Sequence, residues 1–273
     1  MGRFDGYLLV CDMDGTLINS QTQEVDKGNL DAIKEFMAEG GLFAFASGRT
    51  DGELSRYDEL VNSNTYSICY NGSCLYDFRT KDKRYLSTLG DEIYPFLDWV
   101  DREFPNVCIE ITNDDANCLY RRNGGNDIQD AISGIPSKEF PDYRSFPGNL
   151  LKLSFWLATK EETDAFETAA RIHGATEGYD FMRSFGYCCE MMPQEANKGL
   201  ALLEIKKLLP QLKKVVAVGD AENDLLMLKN ADIAFSPSNS LDSVKKIADF
   251  VMQESCCENV VAAVIEKLKN MRK

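Results

Sequence analysis

The sequence predicts an α/β fold with two domains, a parallel-sheet core domain and an inserted α+β domain. Short apolar strands alternate with amphipathic helices at the beginning of the chain, and this alternation returns after Pro193. In between, from about Lys81, strands and helices follow one another in a different order. Regular alternation is typical of βαβ units in a parallel sheet. We therefore expect the core domain at residues 1–81 and 192–273, and the inserted domain at 82–191.

Three apolar runs predict the first strands of the core domain, and each run ends at a polar turn. The runs are Leu8–Cys11, Leu42–Ala46 and Tyr66–Tyr70. Apolar residues at helical spacing predict a helix over 27–38, which Gly40-Gly41 ends, and a second helix is expected over 52–62.

The remaining elements follow from the same patterns. For the insert we expect helices over 91–104 and 160–173, the second capped by Thr159, and strands over 107–112, 117–121, 150–158, 180–184 and 187–191. For the last part of the core we expect helices over 198–209, 225–230 and 260–269, and strands over 214–218 and 233–235.

Composition and charge exclude several classes of partner. The net charge of −14 argues against binding to nucleic acid or to an anionic membrane surface. No apolar stretch approaches the roughly 20 residues of a membrane span, and no signal peptide is recognisable at the N-terminus. The nine cysteines are odd in number and include two adjacent pairs, which favours reduced, mostly buried thiols. We therefore expect a cytoplasmic protein, either a monomer or a small homo-oligomer.

The chain has a single histidine, His173. The count argues strongly against catalytic triads built on histidine and against zinc sites built on several histidines. Its position near the end of a predicted helix indicates an ordinary surface residue. The chemistry must use carboxylates, lysine, hydroxyl groups or a metal.

Acidic residues are concentrated where predicted strands end. Asp12 and Asp14 follow the first strand, and alternation along a strand would place both side chains on one side. Asp220 and Asp224 follow the strand over 214–218. Because parallel strands open into a binding crevice at their carboxyl ends, these groups should meet there. An oxygen-only site of this kind suits Mg²⁺, and Mg²⁺ would also attract an anionic substrate.

The polar turns together resemble the four motifs of the haloacid dehalogenase-like hydrolases. The matching segments are Asp12-Met13-Asp14-Gly15-Thr16-Leu17, Ser47-Gly48-Arg49, Asn197-Lys198-Gly199 and Gly219-Asp220-Ala221-Glu222-Asn223-Asp224. Only 29 residues separate Leu17 from Ser47, so the insert lies between the second and third motifs, which resembles the Cof-type phosphatases. Asn71-Gly72 and Glu190–Pro193 are similar to that branch too.

The resemblance implies a Rossmann-like core domain and a cap domain formed by the insert. It also implies a Mg²⁺-dependent phosphatase that acts on small phosphorylated metabolites, such as sugar phosphates. Asp12 would be the nucleophile that becomes an aspartyl phosphate, and Asp14 would be the general acid and base.

The same resemblance implies binding roles for the other motif residues. The Asp12 carboxylate, the Asp14 backbone carbonyl and Asp220 would hold the metal, and Asp224 would support these ligands. The residues that would bind the phosphoryl group or the substrate are Ser47, Gly48, Lys198 and Asn223.

Two alternatives stay open at this stage. A phosphomutase of the phosphomannomutase kind uses the same two aspartates, and a catalytically silent metabolite-binding protein could share the fold. The insert would select the substrate and exclude water when closed. Its candidate contacts are Arg121, Arg122, Lys152 and Arg183.

Overall fold

A computed structural model describes residues 2–113, 117–125, 127, 137–146, 148–174, 177–184 and 187–271. The chain divides into two compact units. The core unit contains the residues up to Leu86 and those from Asn197 onward, and the inserted unit is Ser87–Ala196. The predicted fold class, α/β with a parallel sheet and an α+β insert, is confirmed.

The strands and helices are numbered in chain order over the described residues. The strands are β1 (Tyr7–Asp12), β2 (Leu42–Ala46), β3 (Ser67–Cys69), β4 (Cys74–Asp77), β5 (Asp82–Tyr85), β6 (Cys108–Thr112), β7 (Asn117–Tyr120), β8 (Lys138–Glu139), β9 (Lys152–Trp156), β10 (Tyr179–Arg183), β11 (Cys188–Pro193), β12 (Lys214–Val218), β13 (Ile233–Ser236) and β14 (Phe250–Val251). The helices are α1 (Lys27–Ala38), α2 (Asp51–Val61), α3 (Tyr94–Glu103), α4 (Lys160–His173), α5 (Lys198–Leu208), α6 (Leu225–Asn230), α7 (Asp242–Lys245) and α8 (Val260–Met271).

The described part of the core unit contains one sheet in the order β14-β13-β12-β1-β2-β3-β4-β5. The strands from β14 to β3 pair in parallel, and β4 and β5 are added at the edge as antiparallel strands. The central strand β1 is buried on both faces, since Leu8, Leu9, Val10 and Cys11 have no exposed surface. Its pattern is therefore a continuous apolar run, as expected for a parallel strand covered on both sides.

Strands β4 and β5 were not predicted from the sequence, which placed the boundaries of the insert at 81/82 and 191/192. The compact units divide instead at 86/87 and 196/197. Strand β5 pairs with β4 along its whole length, from Asp82 with Asp77 to Tyr85 with Cys74. It is mostly exposed and polar, so its residues lack the apolar alternation that reveals a strand. The assignment of the insert as a cap domain stays a prediction.

The described part of the inserted unit contains a mainly antiparallel sheet in the order β10-β11-β9-β6-β7-β8. Helices α3 and α4 contribute Phe96 and Phe166 to an apolar core that also contains Phe155 of β9. The predicted cap of α4 is present, since the Thr159 side chain accepts a hydrogen bond from Glu162 N–H. His173 ends this helix and packs against Trp99, with ring centroids 4.4 Å apart and ring planes tilted by 35°.

The nine cysteines all lie within the described residues, and each has a free thiol. Eight of them are buried, and Cys257 is partly exposed. In the described ranges, no helix is both long enough and apolar enough to cross a membrane.

Candidate active site

The polar turns that follow β12, β1 and β2 lie at the carboxyl end of the core sheet. These three strands are neighbours and run parallel, so their carboxyl ends meet. Asp12 ends β1, Ser47 follows β2, and Asp220 comes two residues after β12. The chain order also reverses here, because β2 flanks β1 on one side and β12 on the other. The crevice outside such a reversal is where open parallel sheets bind ligands.

Lys198 links two buried carboxylates at this edge. Its Nζ donates to Asp12 Oδ1 at 2.5 Å and to Asp224 Oδ1 at 2.7 Å, and its side chain has no exposed surface. Lys198 is the first residue of α5, whose preceding residue Asn197 accepts a hydrogen bond from Leu200 N–H. Burial alone would lower the pKa of Lys198, but the charges and hydrogen bonds of both carboxylates raise it. The ammonium is therefore held in its charged form.

Asp224 fixes the turn after β12 with its second carboxylate oxygen. Asp224 Oδ2 accepts hydrogen bonds from Asp220 N–H at 2.9 Å and from Ala221 N–H at 3.1 Å. A Cβ atom on Gly219 would lie 2.6 Å from the Asp224 side chain, so only glycine fits between strand and turn. Both oxygens of Asp224 thus have partners within the protein, as a supporting residue requires.

Asp220 is held against the loop that follows β1. Thr16 Oγ1 donates to Asp220 Oδ1 at 2.8 Å. Gly15 has a φ of +86°, and a Cβ atom there would lie 2.5 Å from Asp220 Oδ2. Glycine is required on both counts, because the left-handed backbone and the close approach each exclude a side chain. Gly15 and Thr16, which follow Asp14, therefore position the Asp220 carboxylate in the turn after β12.

Asp14 has its own cationic partner. Arg49 donates from Nε to Asp14 Oδ2 at 2.8 Å and from a terminal nitrogen to Asp14 Oδ1 at 2.6 Å. This fork-to-fork pair is the strongest geometry available to arginine and a carboxylate. The Asp14 side chain is 54% exposed, in contrast to 7% for Asp12. The Arg49 guanidinium also lies over the ring of Tyr57, 5.5 Å from its centroid.

A second group of polar residues surrounds the turn after β2. Ser47 is buried, and its Oγ accepts a hydrogen bond from Arg49 N–H at 3.1 Å. A Cβ atom on Gly48 would lie 2.9 Å from the Asn71 amide nitrogen. Asn71 in turn accepts a hydrogen bond from Asn223 Nδ2 at 3.1 Å. These contacts tie the turns after β2, β3 and β12 together.

Asp12, Asp220 and Asp224 form a group of carboxylates that we call the acidic trio. One oxygen from each residue lies within 4.8 Å of the others. Burial raises the pKa of Asp12 well above its ordinary value, and the charge of Asp224 adds to this effect while Lys198 opposes it. Burial also raises the pKa of Asp220. The oxygen-only donor set fits a hard divalent cation such as Mg²⁺.

The structure brings together most of the residues that the sequence singled out. Lys198 contacts Asp12 and Asp224, and a carboxylate oxygen of Asp220 lies within 4.8 Å of theirs, whereas the Asp14 side chain is not a member of that group and pairs with Arg49. The chemical roles of all these residues stay predictions.

Sequence reasoning gave no role to Arg49, Thr16 or Asn71, although each stands inside or beside a quoted motif. The proximity of Arg49 to the two aspartates could have been predicted, because it directly follows Ser47-Gly48 at the carboxyl end of the same sheet. No pattern in the sequence identified the contacts of Thr16 and Asn71.

Four basic residues of the inserted unit were predicted as substrate contacts, and each has an acidic partner inside that unit. Arg121 pairs with Asp101, and Lys152 pairs with Glu190, both at 2.9 Å. The other pairs are Arg122 with Asp127 and Glu139, and Arg183 with Asp164 and Glu167. Their part in substrate binding stays a prediction.

Comparison with known proteins decides the family. The sequence profile of the haloacid dehalogenase-like hydrolases matches residues 9–265. The chain belongs to this family. It falls in the Cof-type branch that the motifs suggested, and it is a hydrolase of the phosphatase class.

Individual relatives agree with this assignment. The 5-amino-6-(5-phospho-D-ribitylamino)uracil phosphatase YcsE of Bacillus subtilis is 25% identical, over 95% of each chain. Phosphatase YwpJ of the same organism is 25% identical over 89% of this chain and 93% of its own. A crystal structure from Thermotoga maritima has a TM-score of 0.85 with 22% identity, covering 95% of this chain and 96% of that one, and it supports the fold.

Proposed function

We propose that this phosphatase hydrolyses small phosphate monoesters, such as sugar phosphates, with Mg²⁺ and through an aspartyl phosphate at Asp12. The observation that carries the proposal is the charge balance at the end of β1. Two buried carboxylates, Asp12 and Asp224, and the half-buried carboxylate of Asp220 face one buried ammonium, that of Lys198, which leaves two negative charges uncompensated when all three are ionised. Such an excess is costly in a buried site unless a cation balances it.

The residues of the acidic trio fit a divalent ion by charge and by donor type. Asp12, Asp220 and the Asp14 backbone carbonyl would hold the ion, and Asp224 would support them through Lys198 and the turn after β12. When bound, Mg²⁺ supplies positive charge that lowers the cost of bringing a phosphate dianion beside Asp12.

The protein's own residues would carry out the first step as follows. A carboxylate oxygen of Asp12 attacks phosphorus, and the bond from phosphorus to the ester oxygen breaks. The leaving oxygen takes the electron pair, and Asp14 in its acid form gives it a proton. Lys198 and Ser47 donate hydrogen bonds to the phosphoryl oxygens, where phosphoryl transfer mostly needs charge stabilisation.

In the second step Asp14, now a carboxylate, removes a proton from water. The water oxygen attacks phosphorus, and the bond from phosphorus to Asp12 breaks, which releases phosphate and restores the Asp12 carboxylate. The unequal exposure of the two aspartates supports this division of labour. Asp12 is 7% exposed beside Lys198, whereas Asp14 is 54% exposed and can meet a leaving group or water.

The printed name of one relative supports a small substrate. YcsE is named for a phosphoribitylamino-uracil, a phosphate ester on a sugar-alcohol chain. We extend only the chemical class, a phosphorylated metabolite, to this chain. Phosphate release from a panel of sugar phosphates and nucleoside monophosphates, with Mg²⁺ and with a chelator, measures both parts of the proposal. We expect release that stops on chelation and returns with Mg²⁺, and full activity in metal-free buffer would exclude the assigned site.

The aspartyl phosphate is tested with Asp14→Asn and nitrophenyl phosphate. The nitrophenolate departs without a proton, so the first step should survive while the second, which needs a base, slows by about 10²–10⁴-fold. We expect a burst of nitrophenolate near one per active site. Borohydride reduction should then convert Asp12 to homoserine, which peptide mass spectrometry detects.

Two variants provide the controls for this experiment. Asp12→Asn should show neither burst nor turnover, and Asp31→Asn, on the exposed face of α1, should behave as the wild type. Equal slowing of both steps in Asp14→Asn, with no burst and no trapped phosphate, would assign Asp14 a structural role instead.

A further inference from the structure

Two adjacent cysteines lie in a hydrogen-bonded turn that contacts the loop after β1. The turn is Ser255–Glu258, in which Glu258 N–H donates to the Ser255 carbonyl at 2.9 Å. The Glu258 carboxylate accepts hydrogen bonds from Ser255 N–H at 3.0 Å and from its hydroxyl at 2.8 Å. Inside this turn the sulfur atoms of Cys256 and Cys257 are 3.8 Å apart.

Cys257 differs from the other cysteines in its surroundings. It is partly exposed, and its Sγ lies 3.4 Å from Ser20 Oγ. Hydrogen bonds from the Ser20 side chain first, and then from Cys256 and the backbone of Ser20 and Gln21, lower the pKa of the Cys257 thiol, although burial acts in the opposite direction. By contrast, burial raises the pKa of Cys11, Cys69, Cys108, Cys188 and Cys189.

The turn is connected to the candidate active site by hydrogen bonds on two sides. Cys256 N–H donates to Asn239 Oδ1 at 2.9 Å, and Asn239 Nδ2 donates to the Gly15 carbonyl at 2.8 Å. On the other side, the loop over residues 19–25 contains Ser20 and is closed by a bridge between Ile18 and Val25. Ile18 also forms a bridge with Asp14.

We propose that Cys256 and Cys257 are a redox-active dithiol, which hydroperoxides convert to a disulfide that releases the loop over residues 19–25. A partly exposed thiol that contacts a hydroxyl group and lies next to a second thiol has the features of a redox-sensitive site. The reaction goes beyond the phosphatase activity and does not depend on it.

The chemistry takes place in two steps. The Cys257 thiolate attacks one peroxide oxygen, so that a sulfur–oxygen bond forms, the oxygen–oxygen bond breaks, and the departing hydroxide or alkoxide takes a proton. The Cys256 sulfur then loses its proton and attacks the Cys257 sulfur, and hydroxide leaves with that proton as water. Two thiols lose two electrons, and the hydroperoxide gains them.

The disulfide should be easily reduced. Adjacent residues on a trans peptide have Cα atoms about 3.8 Å apart, below the usual range of about 4.4–6.8 Å for bridged cysteines. A strained and partly exposed disulfide has an oxidising potential, which is typical of regulatory rather than structural bonds. Its formation also removes the Cys257 thiol, which contacts Ser20 Oγ of the loop at 3.4 Å.

The chain provides a matched control in its other adjacent pair, Cys188 and Cys189. These residues are buried in β11, and neighbouring strand residues point to opposite faces of the sheet. The pair should therefore stay reduced under conditions that oxidise Cys256 and Cys257.

The test treats the whole protein with dilute hydrogen peroxide and analyses its peptides by mass spectrometry. We expect the peptide with Cys256 and Cys257 to lose two hydrogen atoms and to regain them with dithiothreitol, while the Cys188 peptide is unchanged. In Cys256→Ser, dimedone should trap a sulfenic acid on Cys257. Wild-type protein whose Cys257 reacts no faster with peroxide or iodoacetamide than the buried cysteines would overturn the proposal.

Release of the loop is measured by amide hydrogen exchange in the reduced and oxidised wild type. Loss of the contact between Cys257 Sγ and Ser20 Oγ should free the loop and accelerate exchange at Ser20 and Gln21 by roughly tenfold or more. Exchange within β2 serves as the control and should not change. Unchanged exchange at Ser20 and Gln21 after complete oxidation would overturn the release of the loop.

Discussion

Replacing Lys198 by methionine tests whether the buried ammonium is what stabilises the acidic trio. Methionine keeps most of the apolar stem and removes only the charge and its hydrogen bonds. In Lys198→Met, Asp12 and Asp224 lose their contacts at 2.5 Å and 2.7 Å and stay buried. We expect a large loss of stability together with a loss of activity.

The size of the loss follows from the burial of the pair. Removing one partner of a buried ion pair typically costs about 3–5 kcal/mol, because the remaining charge is uncompensated. The exposed pair of Lys27 with Asp31 is the matched control, since Lys27 is also the first residue of a helix and also binds an aspartate. Its side chain is 85% exposed, so Lys27→Met should cost only about 0.3–0.5 kcal/mol.

Urea denaturation with two probes measures this difference in the free energy of unfolding. Far-UV circular dichroism follows both units, whereas the fluorescence of Trp99 and Trp156, the two tryptophans of the chain, follows the inserted unit. In Lys198→Met the dichroism transition should move to lower urea concentration. The double variant Lys198→Met with Asp224→Asn should recover part of the loss, because one buried charge is removed. A cost for Lys198→Met as small as for Lys27→Met would refute the charge argument.

Two further substitutions test the loop after β1 and the pair at Asp14. Gly15→Ala should reduce stability and metal-dependent activity, because its Cβ would lie 2.5 Å from Asp220 Oδ2. The control is Gly174→Ala, at a φ of +77° with nothing within 4 Å of the added Cβ, which isolates the backbone cost of about 1–2 kcal/mol. Equal unfolding midpoints for the two variants would contradict the steric argument. Arg49→Lys should lower kcat by roughly tenfold or more, since lysine cannot hold Asp14 with two hydrogen bonds. Arg56→Lys, whose arginine also lies over the Tyr57 ring, should leave kcat unchanged, and a kcat for Arg49→Lys equal to that of Arg56→Lys would exclude a positioning role.

The elements that the sequence predicts best are those whose pattern depends on local burial. Strand β2 and helices α1 and α4 begin and end at the predicted residues, because apolar runs and caps are properties of short segments. Strand β5 was missed because an exposed edge strand is stabilised by pairing with its neighbour rather than by its own apolar residues, and the buried strand β4 was missed because it is only four residues long. The division of the chain consequently lies five residues later than predicted, at 86/87.

The candidate site shows the same limit at the level of single side chains. The positions of the acidic residues could be predicted, because strand ends of a parallel sheet meet at one edge. The partners of Asp12 and Asp220 could not, because each of these pairings joins residues far apart in the chain. Thr16 with Asp220 and Lys198 with Asp12 are separated by 204 and 186 residues.

The pair Asp12 and Asp14 illustrates how the fold separates two neighbouring charges. Alternation along a strand would have placed both carboxylates on one side, but β1 ends at Asp12, so the alternation does not extend to Asp14. Asp12 is compensated by an ammonium from the N-terminus of α5, and Asp14 by a guanidinium from the turn after β2. The two aspartates are only two residues apart, but Asp12 is shielded from water and Asp14 is exposed to it, and each pairs with a different cation. A nucleophile needs the first environment, where water is excluded and positive charge is fixed. A group that exchanges protons with a leaving alcohol and with water needs the second.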